Sequence, residues 1–143
     1  LLVGDPSDLF YFSNRGTQTR LAPGIYGLSN SLLDVPWPKV ALGKKKLGDL
    51  LDKKVRPTTG AIFKLLSDRA IPPDDQLPET GVGLEWERIL SPLFIQSPSY
   101  GTRSSTVLLV NQKGRATFSE RVFDERGAPW MTTLFSFWIK NSF

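Results

Sequence analysis

The chain has 143 residues, a formal net charge of +4, no cysteine and no histidine. At roughly 100–200 residues per domain this is one domain or part of one, and 40% hydrophobic with 22% charged residues is the composition of a folded chain, not a disordered one. Without Cys there is no disulfide, thiolate nucleophile or iron–sulfur site, and without His no imidazole base, Ser-His-Asp triad or ordinary haem ligand.

A metal would have carboxylates alone and so would be calcium or magnesium; neither a metal nor a cofactor is expected. No apolar run approaches the ~18 residues required of a membrane-crossing helix. The chain opens on Leu1 and its one methionine is Met131, so a fragment lacking its N-terminal part is expected.

In chain order, Leu1-Leu2-Val3-Gly4-Asp5 reads as a strand running into a turn. Leu9-Phe10-Tyr11-Phe12-Ser13 is an aromatic, β-prone run closed by a turn at Asn14-Arg15-Gly16. Thr19-Arg20-Leu21 resumes a strand, Pro23-Gly24 breaks it, and residues 25–30 read as one more strand of an antiparallel meander.

Asp34-Val35-Pro36 then reads as a helix start, with Asp34 as N-cap and Pro36 in the first turn. Trp37, Val40, Ala41, Leu47 and Leu51 fall on one face of a helix of roughly four to five turns, in which Gly43 and Gly48 each cost ~1 kcal/mol against Ala. Part of the basic excess sits in Lys44-Lys45-Lys46 and Lys53-Lys54. The plain reading is the solvated face of this helix. The sharper one is an anionic partner, with peripheral contact to a lipid surface through Lys44, Lys45 and Lys46. No nucleic-acid partner is expected, because no recognition-helix pattern, RNA-binding aromatic motif or zinc knuckle is present.

Thr58-Thr59-Gly60 precedes a second short helix with Ile62, Leu65 and Leu66 inward. Residues 67–83, with Pro72, Pro73, Pro78, Gly81 and Gly83, form a loop longer than the ~12–15 residues beyond which loops serve as lids or stay disordered. A third helix runs from Leu84 to Leu90 with Trp86, Ile89, Leu90 and Leu93 inward, stopped by Pro92.

The last third is β. Residues 104–110 form a strand whose second half is apolar on both faces, as in a strand inside a layered structure. Asn111-Gln112-Lys113-Gly114 is a hairpin loop with Gly114 at positive φ. Residues 115–123 return with Ala116, Phe118 and Val122 inward and Thr117, Ser119 and Arg121 outward, Glu120 breaking the inward series. Asp124-Glu125-Arg126-Gly127 turns into a final strand at 131–139. Strands, then helices, then a meander make the fold class α+β. No GxGxxG or Walker-type loop supports nucleotide binding.

Three polar positions stand out. Asn30, after a strand and before a helix, can offer its amide N–H to a developing oxyanion, although on the residues alone a turn cap is preferred. Arg103 opens the strand at 104; it either holds a carboxylate or makes a structural ion pair, perhaps with Glu120, the two readings standing even. Glu120 itself reads as structurally paired. No hydroxyl has a base that can be placed beside it, so no nucleophile is assigned within the chain.

The blocks Leu9-Phe10-Tyr11-Phe12-Ser13-Asn14-Arg15-Gly16, Gly24-Ile25-Tyr26-Gly27-Leu28-Ser29-Asn30, Asp34-Val35-Pro36-Trp37-Pro38-Lys39-Val40, Tyr100-Gly101-Thr102-Arg103-Ser104-Ser105-Thr106-Val107 and Phe118-Ser119-Glu120-Arg121 span nearly the whole chain in order. Together they resemble the C-terminal half of the Asn-Arg-Asp-Glu (NRDE) family, in its transport and Golgi organisation branch. That family is similar to N-terminal-nucleophile hydrolases. The resemblance therefore implies part of a four-layer αββα sandwich of antiparallel sheets with flanking helices. Residues 1–143 would be the C-terminal portion of a single domain whose N-terminal half is missing.

In the bile-acid and penicillin amidase branch of that superfamily a Cys exposed at the mature N-terminus is the nucleophile and its own amine the base. An Asn after a strand helps form the oxyanion hole, and an Arg opening a late strand supports the nucleophile; Asn30 and Arg103 look like these two positions. The nucleophile and the acidic motif that names the family lie in the missing half, Asn14-Arg15-Gly16 is not that motif, and Leu1 has no side-chain heteroatom. This chain alone is therefore expected to be inactive. The first functional reading that the resemblance implies is a non-catalytic lipid, acyl-CoA or haem-like ligand handler or secretory-trafficking factor, cytoplasmic with Golgi or mitochondrial association. The second is an amide or thioester hydrolase. Haem would be ligated by Tyr or Met131, or held by apolar contact alone.

Overall fold

The first three strands form a small antiparallel sheet in the order β1 (Leu2–Gly4), β2 (Leu9–Tyr11), β3 (Thr19–Leu21). Val3 lies opposite Phe10, and Phe10 opposite Arg20. The turn between β1 and β2 closes on Asp5, whose carboxylate accepts from the backbone N–H of Ser7 and Asp8. The computed structural model describes residues 1–5, 7–53 and 55–140; Lys54 of the second basic pair lies outside them.

The strand expected at 25–30 does not form. Its backbone bonds go elsewhere: Gly27 N–H donates to Asp34 Oδ1 at 2.7 Å, and Asp34 N–H donates to Gly27 O at 2.8 Å. Gly27 is pressed so closely on the following helix that a β-carbon there would meet Val40 Cγ1 at 2.6 Å. Asp34 adopts φ +58°, the left-handed region that Asp tolerates better than most residues. It is therefore not the expected N-cap but the pin of a loop. The helix α1 (Pro38–Leu51) begins later, with Trp37 as N-cap and Pro38 in its first position. Of the expected apolar stripe only Val40 is buried, while Ala41 and Leu51 are exposed; α1 packs on α2 and the Gly27 loop, with Gly43 against Leu93.

Helix α2 (Thr59–Leu66) is capped by Thr58, whose Oγ1 accepts from Ala61 N–H at 3.2 Å. Its buried side chain is Phe63, with the expected Ile62, Leu65 and Leu66 only half-buried. The long loop contains a single 3-10 turn, Asp74–Gln76. Helix α3 (Leu84–Leu90) has the expected bounds but is rotated from the expected face. Glu87 is buried, while Trp86 is 42% exposed and meets Tyr100 edge-on, ring centroids 6.2 Å apart.

The second sheet runs β4 (Ser104–Val110), β5 (Arg115–Phe123), β6 (Pro129–Trp138), all antiparallel. Gly114 and Gly127 take positive φ in the two hairpins, and a bulge separates Val122 from Phe123. Two corrections follow. The strand at 104–110, expected to be covered on both faces, leaves Leu108 and Val110 exposed, and among the described residues it stands at the edge of its sheet. The helix-covered face is the one carrying Val107, Ser119, Arg121 and Phe123; of the residues expected inward, Ala116 is buried, at 1% exposure, on the other face, and Phe118 and Val122 are half-buried there. Phe63 of α2 lies under the Arg121 guanidinium at 4.4 Å, and Phe94 packs edge-on to Phe123 at 4.7 Å. Ser119, which sequence alternation sends outward, is sealed beneath this layer with its hydroxyl donating to Thr133 O at 3.0 Å.

The opposite face sets Leu108, Phe118 and Phe135 side by side, next to Val110 and Phe137, and its outer rows are open to solvent. The α+β class thus holds: helices pack on one side of an antiparallel sheet. These residues show helix against sheet on that side only.

Candidate functional site

The first turn of α1, the loop at 77–83 and α3 enclose a cavity of about 270 Å³. Trp37, Val82 and Leu90 supply apolar wall, and Asn30, Lys39 and Glu87 supply polar groups. A Pro-started helix places Lys39 in its first turn, from which the side chain crosses to α3 and its Nζ donates to Leu90 O at 2.8 Å. Leu90 ends α3, so this bond satisfies a carbonyl that the helix cannot pair internally. Burial pushes the Lys39 amine below the ordinary lysine range, opposed in part by the negative charge of Glu87. The Trp37 ring lies 5.8 Å from the same nitrogen.

Glu87 is 6% exposed. One oxygen, Oε1, accepts both the backbone N–H of Thr80 at 2.7 Å and its hydroxyl at 2.6 Å. A buried carboxylate needs such donors, and here they come from the loop, so the pair clasps the cavity wall to α3. Gly81 and Gly83, at φ +90° and +85°, shape the loop on either side of Val82.

Asn30 lines this cavity, whereas its neighbours Ser29 and Ser31 line a second, open hollow beside β2 with Leu1, Tyr11 and Phe12. Arg103 lines neither hollow. It is exposed at the start of an edge strand, and its carbonyl accepts from Phe123 N–H at 2.9 Å. Among the described residues the ion pair with Glu120 is not formed, and Arg103 stands exposed. Glu120 sits on the open face of the sheet, where Thr106 Oγ1 approaches its carboxylate at 3.5 Å; a hydroxyl, not Arg103, is its neighbour.

The structure therefore brings Asn30 together with Lys39, Glu87 and Thr80, and leaves Arg103 apart. Sequence reading missed the last three. Lys39 lay inside a quoted block, and Glu87 carried a legible signal, an acid between Trp86 and the apolar Ile89-Leu90.

The basic run of α1 is largely matched within the chain. Lys44 pairs with Asp34 at 2.8 Å, Lys46 with Asp68, and Lys45 with Asp49 at 3.7 Å. The two lysines hold Asp34 and Asp68 below the usual carboxylate range, helped by backbone N–H donors from Gly27 and Ala70. Among the described residues no helix is long and apolar enough to cross a membrane, and no cluster of three or more His, Cys, Asp or Glu could hold a metal ion.

An α+β chain with these blocks in this order defines a family. Residues 1–125 match the family described as Transport and Golgi organisation 2, and the chain belongs to it. It is 33% identical to Transport and Golgi organization protein 2 homolog of Bos taurus over 92% of the chain. To the counterparts of Mus musculus and Homo sapiens it is 29% and 30% identical, again over 92% of the chain. The chain spans about half, 51%, of the length of these curated relatives.

Proposed function

We propose that the protein holds an acyl chain without turning it over, as a carrier within the transport and Golgi organisation role that its family's name describes. The observation that supports this reading is the α1–α3 cavity, where apolar wall from Trp37, Val82 and Leu90 meets the Asn30 amide and the half-buried Lys39 amine. Such a lining suits an apolar chain that carries a carbonyl or anionic head. A desolvated amine gains most from a ligand that offers it an acceptor. Its volume, about 270 Å³, sits just under the ~300–1,000 Å³ of sites for drug-sized ligands. An acyl group fits that space, and a haem macrocycle would protrude from it, so acyl handling is favoured over haem handling.

A second reading, amide or thioester hydrolysis by a nucleophile outside these residues, is favoured by one observation. Asn30 lines the cavity and carries amide N–H groups of the kind that meet an oxyanion. Arg103 enters that reading from its motif alone.

The test is a titration of the intact protein with a fluorescent fatty acyl chain, haem in parallel, and thiol release from an acyl thioester followed over time. The carrier reading expects saturable binding that quenches Trp37 and weakens about tenfold or more, some 1.4 kcal/mol, in Leu90→Ser or Asn30→Ala. Repeated turnover of thioester would replace it with the hydrolase, and absence of saturable binding would remove it.

A further inference from the structure

We propose that Lys39 is an acylation site: an acyl thioester seated in the α1–α3 cavity transfers its acyl group to the Lys39 amine. The inference deepens the carrier reading and rests on it. Lys39 differs from the lysines of the basic run in its partner. Lys44, Lys45 and Lys46 are held by carboxylates, whereas Lys39 Nζ is held by a neutral carbonyl, Leu90 O, at the wall of a cavity.

That single bond fixes the nitrogen yet leaves the lone pair of the neutral amine free. Burial favours the neutral form, which is the nucleophile. Asn30 lines the same cavity and carries N–H donors for a carbonyl oxygen that gains charge. Trp37, Val82 and Leu90 give the acyl chain an apolar seat.

In the step, the Nζ lone pair attacks the thioester carbonyl carbon. The N–C bond forms, the C–S bond breaks, and the sulfur departs as thiolate. The nitrogen sheds one proton, which the thiolate takes up, so the products are an amide and a free thiol and nothing else is consumed. The acyl chain left on Lys39 fills the cavity that delivered it, so acylation ends binding.

The experiment incubates the intact protein with palmitoyl-CoA and maps acyl groups on each lysine by mass spectrometry. A thioether analogue of palmitoyl-CoA, which cannot transfer its chain, is titrated in parallel. Lys39 is expected to be acylated about tenfold or more faster than the exposed Lys45, with thiol release stopping at one equivalent. That release vanishes in Lys39→Arg and slows about tenfold or more in Asn30→Ala, and the acylated protein no longer binds the thioether. Acylation of Lys39 no faster than Lys45, with the thioether still binding saturably, overturns this inference and leaves the carrier reading standing. Failure of the thioether to bind, together with no preference for Lys39, overturns both.

Discussion

The two faces of the β4-β5-β6 sheet are built from the same three strands and meet opposite fates. On one face Val107, Ser119 and Phe123 are 4%, 1% and 5% exposed, although one of the three is a serine. On the other, Leu108 and Phe135 are each 59% exposed and Phe137 is 51% exposed, with only the small Ala116 sunk between its neighbours at 1%, although this row is the more apolar. The difference lies in what each face meets. The first is covered by Phe63 of α2 and by Phe94, which follows α3; the second is covered by no helix. Apolar patterning marks a surface that gains from burial, but burial itself requires a partner layer.

Substitutions can break this comparison, and their effects fall in a clear order. Phe94→Ala removes a ring that is 1% exposed, packed edge-on to Phe123 and overlaid by Arg69 at 4.9 Å. It should cost about 3–5 kcal/mol in denaturant unfolding, a large part of a small domain's stability. Gly27→Ala drives a methyl into Val40 and should cost about 1–3 kcal/mol by the same measurement.

Asp34→Ala loses the acceptor for Gly27 N–H and leaves Ala at φ +58°, for about 2 kcal/mol. Asp34→Asn keeps an acceptor and tolerates that φ, and should cost less than half as much.

Acid sharpens the comparison further. Asp34 and Asp68 have folded pKa values below their unfolded ones. The stability they contribute is therefore fully present above ~pH 3.9 and is lost as pH falls through the folded values. Melting temperature should drop below that pH, by a shift worth about 1 kcal/mol or less per pair, and Asp68→Asn should flatten the drop. Smallest of all is Phe135→Ser, which should leave the unfolding free energy of this chain within about 0.5 kcal/mol while reducing binding of an apolar dye. A cost of several kcal/mol would show that the open face is covered in solution.

Five positions show where sequence reading of the site stops. Asn30 was singled out from its chain context, and it does line the cavity. Arg103 was singled out in the same way, and it lies elsewhere, because the burial of its strand depended on a neighbour that pattern alone could not supply. Lys39, Glu87 and Thr80 gave little sign of acting together. They are joined by a helix start, a helix end and a loop whose meeting is a matter of packing.

By itself the sequence determined the elements whose causes are local: the helix bounds at Leu84–Leu90, the short helix after Thr58-Thr59-Gly60, the glycine hairpins and the three late strands. These follow from side-chain period, capping hydroxyls and positive φ, each set within a few residues. Tertiary structure alone decided which face of each element was buried, why residues 25–30 abandoned a strand for Asp34, and how Lys39 came to face Glu87. Those outcomes depend on contacts between distant segments, and the free energy that selects among them is the burial and hydrogen bonding that only the assembled chain can offer.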